Sequence, residues 1–194
     1  TFQYGGKAFE EVRAGWAVAA EQRPLDEKRL ERVWTWTEPA GGLAVRYEVI
    51  EYPYLAAREW LVRLENRGEK DTEMIEGVWS LDGRLEGGAG DAMVLHYALG
   101  DHNSAESFAP QRKELAAGEK AVFSPRAGRS SDPYMPFFNV QGKGGGRMIA
   151  IGWSGQWQAE FERKADGSLA LRAGLQAAHF RLRPGEKIRI PRIV

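Results

Sequence analysis

The densest set of groups able to do chemistry lies in Ile149 to Trp157, IAIGWSGQW. An apolar run leads into Gly152, which permits a tight bend, and two indoles four residues apart flank Ser154, Gly155 and Gln156. Sugar sites need this combination, an aromatic face for the C–H side of the ring and planar amides for its hydroxyls. Trp153, Gln156 and Trp157 are therefore candidate carbohydrate contacts. Tryptophan is also among the most heavily buried residues, so a core role for Trp157 stands beside the sugar reading. Arg129 and Ser130, in Gly128-Arg129-Ser130-Ser131, add a guanidinium and a hydroxyl suited to ligand oxygens or to loop bracing. His102 and Asn103, in Asp101-His102-Asn103-Ser104, supply an imidazole and an amide for ligand contact or loop capping.

Catalysis has much thinner support. His96 or His102 could act as acid or base with Asp101 or Glu106, but nothing in the spacing pairs them. A retaining glycosidase needs two carboxylates about 5 Å apart. Asp91, Asp101, Glu106 and Asp132 all read as loop residues, and no pattern couples any two. Three scattered histidines and no cysteine give no metal-ligand spacing. The glycines at 144–146 open no helix and cradle no phosphate; they read as a hairpin turn. No catalytic residue, metal or cofactor is expected in this chain.

The elements that must position these groups are strands. Leu43, Val45, Tyr47 and Val49 alternate with polar residues, as do Trp60, Val62 and Leu64, and Trp157, Ala159 and Phe161. Phe137 and Phe138 would point to opposite faces, with at least one in the core. Asn66-Arg67-Gly68, Asp82-Gly83, Asp166-Gly167 and Pro184-Gly185 supply turns between such runs. Only Arg23 to Arg32 approaches helical spacing, with a solvated charged face around Asp26 to Arg32. Two stretches, 100–118 and 124–134, are irregular, and long loops in a β domain often carry function. The expected fold is all-β, a large antiparallel two-sheet sandwich, with residues 1–194 as one domain.

Lys plus Arg and Asp plus Glu number 27 each, so the chain lacks the basic excess that nucleic-acid binding requires. No apolar run is long enough for a membrane-spanning helix, and no membrane partner is expected. The absence of cysteine leaves the compartment open between cytoplasm and secretion. Thr1 is not a start methionine, and the closing KIRIPRIV reads as a strand running off the end, so the natural protein is expected to continue.

Taken in order, TFQYGGK, LENRGEKDT, LHYALGDHNSAESFAP, GRSS, PFFN, GGG, AIGWSGQW and RPGEKIRIPRIV cover nearly the whole chain. The series resembles the amino-terminal domain of bacterial α-galactosidases of the melibiase group, glycoside hydrolase family 36 and its relatives. The resemblance implies a β-supersandwich ahead of a (β/α)8 barrel that holds both catalytic aspartates, and so a chain that is not itself an enzyme. It implies as partners the catalytic barrel, galactosides at a site that the sandwich helps to wall, and further copies in a homo-oligomeric parent enzyme. An independent carbohydrate-binding module, with Trp153 and Trp157 as platform, is the alternative. A small enzyme on the same architecture would need two histidines and a carboxylate converging in one pocket.

Overall fold

Alternation of apolar and polar residues becomes antiparallel strand pairing throughout the chain. The computed structural model describes residues 1–39, 42–88, 90–101 and 103–194. In chain order the strands are β1 (Gln3–Tyr4), β2 (Lys7–Ala8), β3 (Ala17–Pro24), β4 (Leu30–Thr37), β5 (Leu43–Tyr52) and β6 (Ala57–Asn66). They continue as β7 (Ile75–Glu76), β8 (Trp79–Leu85), β9 (Val94–Leu99), β10 (Pro110–Glu114), β11 (Lys120–Phe123) and β12 (Tyr134–Gly142). The last are β13 (Gly145–Gly152), β14 (Trp157–Arg163), β15 (Leu169–Leu175), β16 (His179–Phe180), β17 (Lys187–Arg189) and β18 (Arg192–Ile193). A single helical turn, α1 (Phe9–Val12), follows β2. The fold is all-β, antiparallel and sandwich-like. Its residues fall into two compact units, Thr1–Ser80 with Ala177–Val194, and Leu81–Gln176.

In the first unit β3, β4, β5 and β6 form a meander, with β17 and β18 on the far side of β6. The register sets Val45 against Leu64, Tyr47 against Val62 and Val49 against Trp60, so the two alternating faces read from the sequence meet as one. Leu43 and Leu64 are fully buried there, with Ile75, Val78 and Ile193. Phe2 stacks on Phe9 at 4.4 Å, and Trp16 and Trp36 meet Phe9 edge-on. The turn at Asn66 does more than reverse the chain. Its buried amide donates to the Lys70 and Leu182 carbonyls (2.7 and 2.8 Å) while its oxygen takes the Gly68 N–H, which ties three segments together.

Residues 23–32 are not helical; they are the hairpin of β3 and β4. Pro24 disfavours a helical Arg23, and Asp26 accepts the Lys28 N–H and the Arg29 guanidinium in the turn. The charges that suggested a helical face pair instead across strands, as Arg23 does with Glu31.

The second unit holds the strand run β10-β9-β12-β13 and the four-stranded sheet β11-β14-β15-β8. Rings fill the space between them: Phe138 lies 5.0 Å from Phe161 and 5.1 Å from Phe123, and Trp157 meets Phe138 at 6.0 Å. Along β14 every second side chain from Trp157 to Arg163 is buried. Arg163 is the surprise at the end of that series, 3% exposed. Its Nη2 donates to the carbonyls of Gly88 and Asp91, so it anchors a loop from inside the core. Of the adjacent phenylalanines, Phe138 is core and Phe137 is half exposed, the split that alternation requires.

Candidate functional site

Three of the strings singled out in the sequence meet in the second unit, and the backbone of residues 130–133 is where they meet. β13 ends at Gly152, the chain bends through Trp153 to Gln156, and β14 starts at Trp157. The Trp157 indole is fully buried and its Nε1 donates to the Ser130 carbonyl at 2.8 Å. Ser131 O accepts the Asp101 N–H at 3.1 Å, and Pro133 O accepts the Gly100 N–H at 2.7 Å. Gly100 is obligatory here, because a Cβ on it would sit 1.6 Å from Ser131 O. The loops beginning at 100 and 126 and the bend after β13 are thus one connected cluster.

The side chains within it have distinct placements. Trp153 is half buried, its ring close to Gly155, where an added Cβ would come within 3.1 Å of the indole nitrogen. Gln156 is exposed, and its amide donates to Gln176 Oε1 at 3.0 Å. Arg129 is exposed and closes a tight turn back to Arg126, with Ala127 and Gly128 between them at φ of 50° and 73°. Ser130 is half buried, and its carbonyl is the one engaged by Trp157. Asn103 is exposed at a φ of 54°, which asparagine tolerates, and its N–H is held by Asp101 Oδ1 at 3.0 Å. His102 lies outside the described residues.

A platform of two parallel indoles does not form, since Trp157 presents no face to solvent. Trp153 stays partly accessible, and Gln156, Arg129 and Asn103 are exposed. These are the kinds of groups, an aromatic ring and planar hydrogen-bonders, on which a hydroxyl-rich ligand relies. The residues considered for acid–base work are engaged in other ways. His96 Nε2 pairs with Gln141 Oε1 at 2.8 Å across β9 and β12. Asp101 caps its own loop by accepting from Asn103 N–H and Ser107 Oγ. Asp91 accepts the Gly88 N–H at 3.0 Å. Among the described residues no group of three or more His, Asp or Glu side chains is arranged to hold a metal ion.

The first unit contributes a hollow of about 570 Å³ that sequence reasoning missed, lined by Tyr4, Glu38, Arg67, Lys70, Asp71 and Glu73 among others. Tyr4 donates to Glu38 Oε2 at 3.0 Å, and the same oxygen takes the Leu43 N–H at 2.9 Å. Burial, reinforced by the neighbouring Glu38 carboxylate, pushes the Tyr4 phenol well above its ordinary range, so it stays a donor. The sequence had marked its walls only as the turn at Asn66 and as the strings TFQYGGK and LENRGEKDT, without reading a site there.

The class of protein that these features define is an all-β sandwich with its irregular loops gathered around one bend. Solved α-galactosidases contain the same fold. The family 36 α-galactosidase AgaA of Geobacillus stearothermophilus matches 99% of this chain with a TM-score of 0.70 and 16% identity, over 29% of its own chain. The galactosidase domain of the α-galactosidase–sucrose kinase AgaSK matches 92% of this chain (TM-score 0.68, 17% identity) over 26% of its own. The α-galactosidase of Lactobacillus brevis matches 92% with a TM-score of 0.66 and 14% identity, over 25% of its own chain. The present chain therefore spans about a quarter of the length of the enzymes it matches. No protein-family model matches the sequence, and no curated protein does. At these identities the fold is what is shared.

Proposed function

We propose that residues 1–194 serve as the non-catalytic amino-terminal accessory domain of an α-galactosidase-like glycoside hydrolase, supporting a catalytic barrel and walling its sugar site. The observation that carries this reading is the asymmetry of coverage. Nearly all of this chain corresponds to a part of each enzyme that is only about a quarter of its length. Galactosides are the sugars to consider, because AgaA variants have been solved with stachyose and with raffinose. On this chain the wall would draw on Trp153, Gln156, Arg129, Ser130 and Asn103; His102, the remaining candidate, lies outside the described residues. Trp157 would hold the bend from behind.

Two measurements test the reading together. The open reading frame around this chain is expected to continue into a (β/α)8 barrel with an aspartate pair; a frame with no such region refutes the proposal. The isolated chain is expected to leave a chromogenic α-galactoside intact, and turnover abolished by His96→Ala would make it an enzyme instead. Tryptophan fluorescence under galactose, melibiose and raffinose, with glucose and cellobiose as controls, then separates scaffold from binding module. A flat response fits an accessory wall, whereas a saturable and galactose-selective change would make the chain a binder in its own right.

A further inference from the structure

Phe108 closes the loop that begins at Gly100, and its ring is 58% exposed although its backbone is firmly held. Its N–H donates to Gly100 O at 3.3 Å, and the Gly100 N–H donates in turn to Pro133 O at 2.7 Å. On the near side Ser107 Oγ donates to Asp101 Oδ1 at 3.2 Å, and the Glu106 N–H donates to Ser104 Oγ at 3.2 Å. On the far side the Ala109 N–H donates to Glu106 O at 3.0 Å. The ring therefore stands on a loop fastened to the same backbone, residues 130–133, that Trp157 holds.

This placement carries two costs. At a φ of 64° the Cβ of an L-residue crowds its own backbone, a strain that glycine escapes and asparagine tolerates. A phenyl ring left in water also forgoes the gain of burial. Within the chain neither cost is offset by ring packing, since among the described residues no other aromatic ring stacks on Phe108. Strained positions of this kind persist where the side chain is presented for a purpose.

The groups around the ring define what it is presented to. Asn103, Ser104 and Glu106 are exposed on the same loop, and Arg129 and Gln156 are exposed on the segments bonded to it. A packed apolar surface would bury these polar groups around a single ring, at the cost of their water. A pyranose fits both parts, with C–H groups for the ring face and hydroxyls for the polar rim. We infer that Phe108 supplies the aromatic face of the sugar wall, the role that the sequence offered to Trp157. The choice of sugar rests on the accessory-domain reading. In a galactopyranose the axial 4-hydroxyl leaves the hydrogens of C3, C4 and C5 on one face, a continuous strip for a phenyl ring. In a glucopyranose the C4 hydrogen lies on the other face, so the strip is interrupted.

The test is an NMR titration of this chain, because tryptophan fluorescence does not report on a phenyl ring. Methyl α-galactopyranoside, up to high millimolar concentration, is expected to shift the Phe108 ring protons and the amides of residues 103–109. Methyl α-glucopyranoside should shift them several-fold less, and sorbitol, which has hydroxyls but no ring face, should leave them in place. Phe108→Tyr keeps the response, and Phe108→Asn loses the amide shifts. The urea midpoint of Phe108→Asn is expected to equal or exceed that of the wild type, since asparagine relieves the backbone strain. No shift with the galactoside, equal shifts with sorbitol, or a lowered midpoint, which would make the ring part of the packing, would each overturn the proposal. The two readings fail separately. A reading frame without a barrel refutes the accessory domain and leaves the shifts standing, whereas a barrel with no shifts removes Phe108 alone.

Discussion

The Trp157 indole N–H donates to the Ser130 carbonyl at 2.8 Å, joining two strings 27 residues apart that each looked like a sugar contact. The bond turns one of them into a support. A fully buried ring that satisfies a loop carbonyl holds the bend after β13 and the loop before β12 in one arrangement. Replacing Trp157 with Phe removes both the donor and part of the ring volume. The expected loss of stability is about 2–4 kcal/mol, combining an orphaned carbonyl with a cavity. Urea unfolding followed by circular dichroism reads it directly, and a loss under about 0.5 kcal/mol would show that the bond contributes little.

Gly100 is the second fastening of the cluster. Ala at this position would drive its Cβ into the Ser131 carbonyl, which cannot retreat without moving the loop that Trp157 holds. Gly100→Ala should therefore cost about 2–3 kcal/mol and shift the amide resonances of residues 126–133. Unchanged resonances there would contradict the contact.

Arg163 is expected to act as an anchor and not as a binding residue. Its guanidinium reaches the Gly88 and Asp91 carbonyls from a nearly buried position. Arg163→Met keeps much of the packing but deletes those donors, and should destabilise the chain by about 2 kcal/mol. Hydrogen exchange should rise first at residues 88–91. Uniform acceleration across β14 would point to global loss of packing instead.

Asp166 offers a test of turn chemistry through pH. The Ser168 hydroxyl and N–H, with the Arg84 guanidinium, hold its carboxyl down to about 2, below the usual carboxylate range. A depressed folded-state pKa means that this group's contribution is present above the unfolded value of about 3.9 and fades as pH falls toward 2. Carboxyl NMR titration should place Asp166 among the most acidic side chains, and Ser168→Ala should move it back up. An unchanged value in that variant would assign the shift to Arg84.

Within the site, Trp153 is the side chain whose loss separates binding from support. If the chain serves as the accessory domain proposed above, Trp153→Ala in the full-length enzyme is expected to raise KM for galactosides several-fold with little effect on kcat or on the unfolding midpoint, the pattern of lost uniform binding. A drop in stability with KM unchanged would make Trp153 a packing residue like Trp157.

Much of this was legible in the sequence because it is local. Period-two alternation placed Trp157, Ala159 and Phe161 on one buried face of β14 and divided Phe137 from Phe138. Asp166-Gly167 and Asn66-Arg67-Gly68 announced their turns through residues that accept unusual backbone angles or cap their own chain. One false signal, a helical spacing across Arg23 to Arg32, arose where a short hairpin placed paired charges on neighbouring strands. Composition could not separate that from a charged helical face.

The tertiary structure decided what each candidate residue is for. Whether Trp157 is a platform or a post depends on a carbonyl 27 residues earlier, and Arg163 is buried because two carbonyls some seventy residues upstream await it. The meeting of the 100–108 and 126–133 loops rests on backbone atoms, which carry no side-chain signature. Sequence alone determined which faces must be buried, because burial follows from the chemistry of each side chain and the strand period. Which polar groups would meet was left to the packing of strands distant in sequence, since a hydrogen bond requires two atoms within about 3 Å and only the fold brings them there.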